Sequence, residues 1–282
     1  MAFPTTTAPS ITAWQLQFNS LTMGAGTQYG ISKLTGLGDL PNINVADVQR
    51  PRDVGEFIGL YYPSGRTFEV DFWMSTAGGS NIQTLLSTLT TALIPQTSTE
   101  LPFWFKLPNL PVLAAMARPI KKVVPYDVNY SAAQVATPAC QFHATDPRLY
   151  STPTTSTTTA GSTTVSAAVS VVNAGNVDTR PTFTITGPIA TGFTITASGA
   201  TTGTLTYNNA LASGDTLYID TDLHIVQQTH SGVTTNTRGY LGSTPGWFTA
   251  PASGTTTVTL AGTGGSVGTT AIAVTYCSAY LI

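Results

Sequence analysis

The chain has 282 residues, a formal net charge of −2 and 41% hydrophobic residues, but only 9% charged ones, against roughly 25% in an ordinary soluble domain. That length suits one large or two ordinary cores, the apolar content excludes a disordered chain, and so few Lys and Arg exclude a nucleic-acid footprint. No run approaches 18 apolar residues, so no membrane span is expected, and a surface this poor in charge is weakly protected against association.

The first residues, MAFPTTTAPS, lack the basic and apolar regions of a signal peptide, so none is expected. ITAWQLQFNS alternates, with Trp14, Leu16 and Phe18 on one face and Gln15, Gln17 and Asn19 on the other, as in a half-buried strand. Gly24 to Gly38 reads as a strand with a loop. Gly24, Gly26 and Gly30 miss the dinucleotide-binding spacing by one residue, and no strand–turn–helix frames them. VQRPRDVGEF then brings Arg50, Arg52, Asp53 and Glu56 close together in sequence.

GRTFEVDFW, Gly65 to Trp73, has the cleanest alternation: Phe68, Val70 and Phe72 on one face, Thr67, Glu69 and Asp71 on the other. The turn residues Pro63 and Gly65 before it suggest a local hairpin. Next comes the one convincing helix. Ile82, Leu85, Leu86, Leu89 and Leu93 form an apolar stripe, Ser80 with Gln83 offers a capping box, and Pro95 stops it. Its other face is Thr84, Ser87, Thr88 and Thr91, so packing must hold it. The expected packing sets Phe68, Val70 and Phe72 against the leucine stripe, with Glu69 and Asp71 facing away. From Leu101 to Tyr150, PFWFKLP, ARPIKKVVPYDVNY and ACQFHATDPRLYS read as strands bounded by proline. Arg118, Lys121 and Lys122 form a local basic cluster, read as a solvated edge or channel lining.

Composition shifts after Tyr150. Residues 1–150 hold 9 basic and 9 acidic residues and 17 threonines; residues 151–282 hold 2, 4 and 35. STPTTSTTTAGSTT begins as a low-complexity linker that merges into β structure. The expected domains are residues 1–152 and 153–282. Eight short alternating strands follow, from TVSAAVSVV to TAIAVTYCSAY, with NAGN, GATTG, NNALASGD, SGVTTN and AGTGG as turns. That pattern reads as an antiparallel sandwich.

Candidate chemistry is sparse. Asp220, Asp222 and His224 in DTDLH alternate onto one strand face, where a metal site would need further ligands that no spacing supplies. His143 has no nucleophile motif near it. Glu69 and Asp71 are paired carboxylates on an exposed or interface face, and Asp146 with Arg148 suggests a turn that ends the first domain, held by a local ion pair or a cap. Asn129-Tyr130-Ser131 is a formal glycosylation sequon that matters only on secretion. Cys140 and Cys277 form no zinc pattern; two unpaired core thiols are favoured, and a single disulfide stays open. No catalytic, cofactor-binding or metal-ligating residues are assigned.

GRTFEVDFW followed by a short helix and a proline-rich β segment ending DPRLYS resembles the N-terminal domain of the distal tail (Dit) proteins of long-tailed siphophages. NAGNVDTRPTFTITG, LASGDTLYID and LGSTPGWF resemble that family's C-terminal galectin-like sandwich, so the likeness covers essentially the whole chain in order. The ending GTTTVTLAGTGGSVGTTAIAVTY is blander than the family's pattern. The resemblance implies a mainly β fold: a β-barrel or sandwich belt domain with one short helix, then a galectin-like antiparallel β-sandwich. It implies a non-enzymatic virion protein of the phage tail tip, made in the host cytoplasm, with no cofactor. Its belt domains would build a hexameric ring, or stacked rings, joining the major tail tube protein to the tail-associated tip or hub protein. The galectin-like domains would point outward towards receptor-binding components, with the tape-measure protein a further candidate partner and no membrane or sequence-specific nucleic acid involved. Galectin-like names a fold, and sugar binding does not follow from it. A tail-tube or baseplate protein, and a carbohydrate-binding adhesin using Trp247 with Asp220, Asp222 and His224, are the alternatives.

Overall fold

The computed structural model describes residues 3–76, 81–95, 98–160, 164–265 and 269–281. The chain forms two compact units, one of residues 7–151 with Leu281, the other of residues 152–280 with residues 3–6. Both are mainly β, with a single α-helix among the described residues.

The first unit is built on the strand Arg66–Ser75, whose ten residues alternate buried and exposed almost without fault. On one side it pairs antiparallel with Ala139–Ala144 and, past Pro138, with Val135–Ala136; on the other it pairs with Tyr29–Thr35. The long strand Leu113–Val123 continues the sheet. Its first half pairs with Leu101–Lys106 and its second half with Ala139–Ala144, and the register slips between Pro119 and Lys121. A strand that changes partners at such a break turns a corner, and Pro119 has no N–H to lose there. Gln15–Phe18 and Leu21–Gly24 complete the far edge. The result is one sheet curled into a half-barrel.

Inside the curl four rings meet. Phe68 stacks on Phe142 at 5.3 Å and meets Phe103 edge-on at 4.8 Å, while Phe18 meets Phe142 at 5.2 Å. Offset and edge contacts of this kind add about 0.5–1.5 kcal/mol each beyond burial. Phe68, Val70 and Phe72 are buried as the alternation requires, and Phe68 faces this aromatic cluster. Trp14 departs from expectation: the strand starts at Gln15, and Trp14 sits in the turn before it at φ 64° with its indole exposed.

The helix Ile82–Ala92 buries Ile82, Leu85, Leu86, Leu89 and Ala92, with Leu93 just beyond. Asn81 caps it, its side-chain oxygen accepting from the Gln83 N–H at 2.8 Å; the expected cap Ser80 lies outside the described residues. The helix's threonines are satisfied locally, since Thr88, Thr90 and Thr91 donate to the carbonyls of Thr84, Leu86 and Ser87. Bonds from Tyr29 Oη to the Leu85 carbonyl and from Asn19 Nδ2 to the Ala92 carbonyl fix the helix to the sheet.

The second unit is a sandwich of two antiparallel sheets. One runs Thr154–Thr159, Ala271–Tyr276, Thr182–Thr186, Thr216–Asp220, Ile225–His230, Val233–Asn236; the other runs Thr164–Asn173, Gly254–Thr263, Phe193–Gly199, Gly203–Tyr207. Phe183, Ile185, Leu217 and Ile219 from one sheet share a core with Ile195, Leu205, Val258 and Leu260 from the other. Their outward neighbours are mostly Thr and Ser, which tolerate a pleated, half-wet surface. Two strands lie where the sequence suggests linker or turn: Thr154–Thr159 in the low-complexity run, and Val233–Asn236 in SGVTTN, where only Ser231 and Gly232 make the turn, both at positive φ. Cys140 and Cys277 are both buried and free, and burial pushes each thiol up to about 12.

Candidate assembly surface

The chain leaves the first unit's sheet at Gly36 and re-enters it at Arg66. The expected local hairpin into GRTFEVDFW does not form: Arg66–Ser75 pairs back to Tyr29–Thr35, and everything between is an arm. Gly36 makes the exit, at φ +84° with a Cβ that would stand 2.6 Å from the Thr67 carbonyl. Arg66 makes the return. Its guanidinium is buried, donating to the carbonyl of Leu37 at the arm's root and to that of Pro147 at 3.2 Å. Burial lowers its pKa and Asp39 opposes that.

The arm is two short antiparallel ribbons in series, Ile43–Val45 with Tyr61–Pro63 and Val48–Gln49 with Glu56–Phe57. Its shape is fixed from within. Asp47 accepts from the Gly59 N–H at 2.8 Å and from Tyr61 Oη at 2.7 Å. A Cβ on Gly59 would stand 2.0 Å from the Ala46 carbonyl, so only glycine allows the crossing. The Arg50 guanidinium lies over the Phe57 ring at 5.0 Å. Yet the arm's apolar side chains face solvent, with Val54 91%, Ile58 89%, Leu40 72% and Leu60 70% exposed. Exposed apolar surface so concentrated marks an interaction site.

The second feature is the sheet face turned away from the aromatic core. Glu69 lies between Thr35 and Gln141, with Lys121 on the next strand; Asp71 lies between Lys33 and Ala139. Arg118 pairs with His143, whose Nδ1 is 3.1 Å from Thr67 Oγ1. The paired carboxylates and two of the basic cluster thus share one outward face, in alternating sign, with the exposed Trp73 at its end. Lys122 faces the other way and donates to Thr90 on the helix.

The remaining candidates have structural partners. Asp146 is buried and accepts from Arg148 and, at 2.6 Å, from Tyr150 Oη, so this turn is pinned by a local ion pair as expected. Asp220, Asp222 and His224 do not share a strand face. The strand ends at Asp220, whose carboxylate accepts from the Asp222 and Leu223 N–H groups in a turn; Asp222 pairs with Arg180 at 2.5 Å; His224, at φ 54°, stacks on Trp247 at 4.4 Å. Asn129 of the sequon lies in the exposed helical turn Asn129–Ala133. Among the described residues no three His, Cys, Asp or Glu side chains converge as a metal site would need.

The sequence gives no sign that the arm is unpartnered. Its cue is a run of apolar residues, Val54, Phe57, Ile58, Leu60 and Tyr61, punctuated by glycine and ended by Pro63, a composition that fits a buried element as well as an exposed one.

No protein-family model matches the sequence, and no curated protein does. Solved structures do. The SPP1 Dit (gp 19.1) protein, described as a paradigm of the hub adsorption apparatus in phages infecting Gram-positive bacteria, matches at TM-score 0.65 and 14% identity, over 95% of this chain and 99% of that one. A chain of the phage P2 baseplate in its activated conformation with Ca matches at 0.53 and 7%, over 93% and 97%; its counterpart with Sr matches at 0.54 and 8%, over 93% and 96%. Both units of the chain enter these matches, and its fold is that of a phage distal tail protein.

Proposed function

We propose that the chain is a structural protein of the phage tail tip, a distal tail protein that assembles with copies of itself into a ring, of six in the family it resembles. The ring would join the tail tube to the adsorption apparatus. Residues 1–152 would form the belt and residues 153–282 the galectin-like outer domain. The major tail tube protein and the tail-associated tip or hub protein would be its partners, receptor-binding or tape-measure proteins further ones, and the virion tail its location. The observation that carries this reading is the end-to-end fold match to the SPP1 Dit protein. The exposed arm and low charge support it, because a surface with few charges and many apolar side chains needs neighbours. No described helix is long and apolar enough to cross a membrane.

Negative-stain electron microscopy of the purified protein is the test. Rings with a central channel, alone or with the tube or tip protein, are expected. Long tubes would favour a tail-tube protein. Monodisperse monomers at high concentration, with no ring even alongside either partner, would overturn the reading.

A further inference from the structure

We infer that the outward face of the second unit's six-stranded sheet, around Tyr218, is a binding site for an uncharged glycan. This goes beyond the ring reading and does not depend on it, and the site carries it rather than the fold. The cross-strand register sets one row of side chains along this face: Thr157, Ala273, Thr184, Tyr218, Gln227 and Asn236. Their strand neighbours Phe183, Ile185, Leu217, Ile219 and Val226 are buried, so the row points to solvent. Tyr218 is its one aromatic residue and is 37% exposed. Its Oη lies 3.5 Å from Asp220 Oδ2. Residues two apart on a strand stand about 7 Å apart, so the ring lies along the strand rather than standing off it, as a stacking platform must.

The charge of this face selects the ligand class. Asp220 is buried, its carboxylate held by the Asp222 and Leu223 N–H groups, and none of the six strands contains a Lys or Arg. A phosphate-bearing or other anionic polymer would find no cation to pair with. A protein would find a single aromatic anchor among hydroxyls, where protein interfaces cluster several. A sugar ring suits both features, because its C–H face can rest on an aromatic ring while its hydroxyls donate and accept as Thr, Gln and Asn do. The polar groups beside Tyr218 are also open. In the flanking rows threonine hydroxyls are spent on one another, Thr155 with Thr275 and Thr229 with Thr234, each at 2.9 Å. Thr184 and Gln227 stand directly across from Tyr218 on either side, with Cβ atoms about 5 Å away, and among the described residues their side chains have no such partner. Trp247 offers no rival platform, since it packs against the core and is covered by His224 at 4.4 Å.

The test probes the full chain on immobilised neutral oligosaccharides of glucose, galactose, rhamnose and N-acetylglucosamine, with immobilised poly(glycerol phosphate) as the anionic arm. One ring and a few hydrogen bonds hold a sugar weakly, and a dense glycan surface lets several sites engage at once. Wild type should bind at least one neutral glycan and leave the anionic polymer alone. Tyr218→Ala should lower the apparent affinity about tenfold, while Tyr218→Phe, which keeps the ring, should bind as wild type does. Gln227→Ala changes an exposed side chain, so it should weaken binding with Tm unchanged. All three variants should assemble as wild type does, so a failure here leaves the ring reading standing. No binding to any neutral glycan, binding to the anionic polymer alone, or glycan binding that Tyr218→Ala and Gln227→Ala both leave intact would overturn the inference. If those two variants keep glycan binding but lose the tube or tip protein, the face belongs to that partner and the inference is likewise overturned.

Discussion

Asp215 shows how one side chain ties the second unit to pH. Its carboxylate is 4% exposed and accepts from His230 Nδ1 at 2.7 Å, Gln228 Nε2 at 2.9 Å and the Ala212 N–H at 3.2 Å. Burial alone would raise its pKa; the His230, Gln228 and backbone hydrogen bonds outweigh that and hold it below the usual range. A carboxylate depressed in the folded state stabilises the fold above its unfolded value, about 3.9, and that stability is lost as pH falls through the folded value. Asp215→Asn should therefore lower Tm at pH 7, and the gap to wild type should narrow below about pH 4; a gap constant from pH 7 to 3 would refute this role. The cysteines make a second case. With both thiols buried and pushed up to about 12 by desolvation, neither presents thiolate at neutral pH. Native protein should resist maleimide for hours and take two labels in denaturant. Rapid native labelling would mean that one of them lies in a segment that opens easily.

At the scale of elements, the helix and the arm differ in how far the sequence reveals them. The helix stripe from Ile82 to Leu89 is a period of 3.6 that only one face of a helix can bury, and it is buried. Its cap is Asn81, a residue type that caps about as well as serine, with its backbone extended at φ −75° and ψ 137°; no periodicity singles that residue out. Asn81→Ala should cost about 1 kcal/mol in urea unfolding, with the loss confined to the unit that holds the helix; no change would mean that packing alone sets the helix start. The arm is different. Val45, Phe57 and Tyr61 are β-branched or aromatic, the types that favour strands, and they are strand residues. Residue type reports the pleat, however, and whether a pleat has a partner depends on tertiary or quaternary contacts that no local pattern encodes. For the same reason Glu69 and Asp71 are legible as outward-facing, while their shared surface with Lys33 and Lys121 becomes visible only once strands far apart in sequence lie side by side.

At the scale of the molecule, the division of the chain is not a single cut. Residues 3–6 belong with residues 152–280, although nearly 150 residues separate them. Phe3 is buried at 7% exposure, and the Pro4 carbonyl lies 4.0 Å from Cys277 Sγ. Nothing in MAFPTTTAPS announces this; one aromatic among threonines and prolines reads as a loose end. The low-complexity run after Tyr150 is misleading in the same way, since Thr154–Thr159 completes a sheet edge through six register pairs with Ala271–Tyr276, and repeated threonine looks like linker whether or not a neighbouring strand pairs with it. A consequence follows for Phe3→Ala. Removing a buried phenylalanine ring costs about 3 kcal/mol at the lower end of core values, and a site near a chain end belongs at that end because it relaxes easily. The loss should appear in peptides of residues 152–280 by hydrogen exchange and leave the protection of the Phe68 and Phe142 strands unchanged. Equal loss in both regions would mean that the chain unfolds as one cooperative body. No loss in either would mean that Phe3 merely rests on the surface of a sandwich that is complete without it.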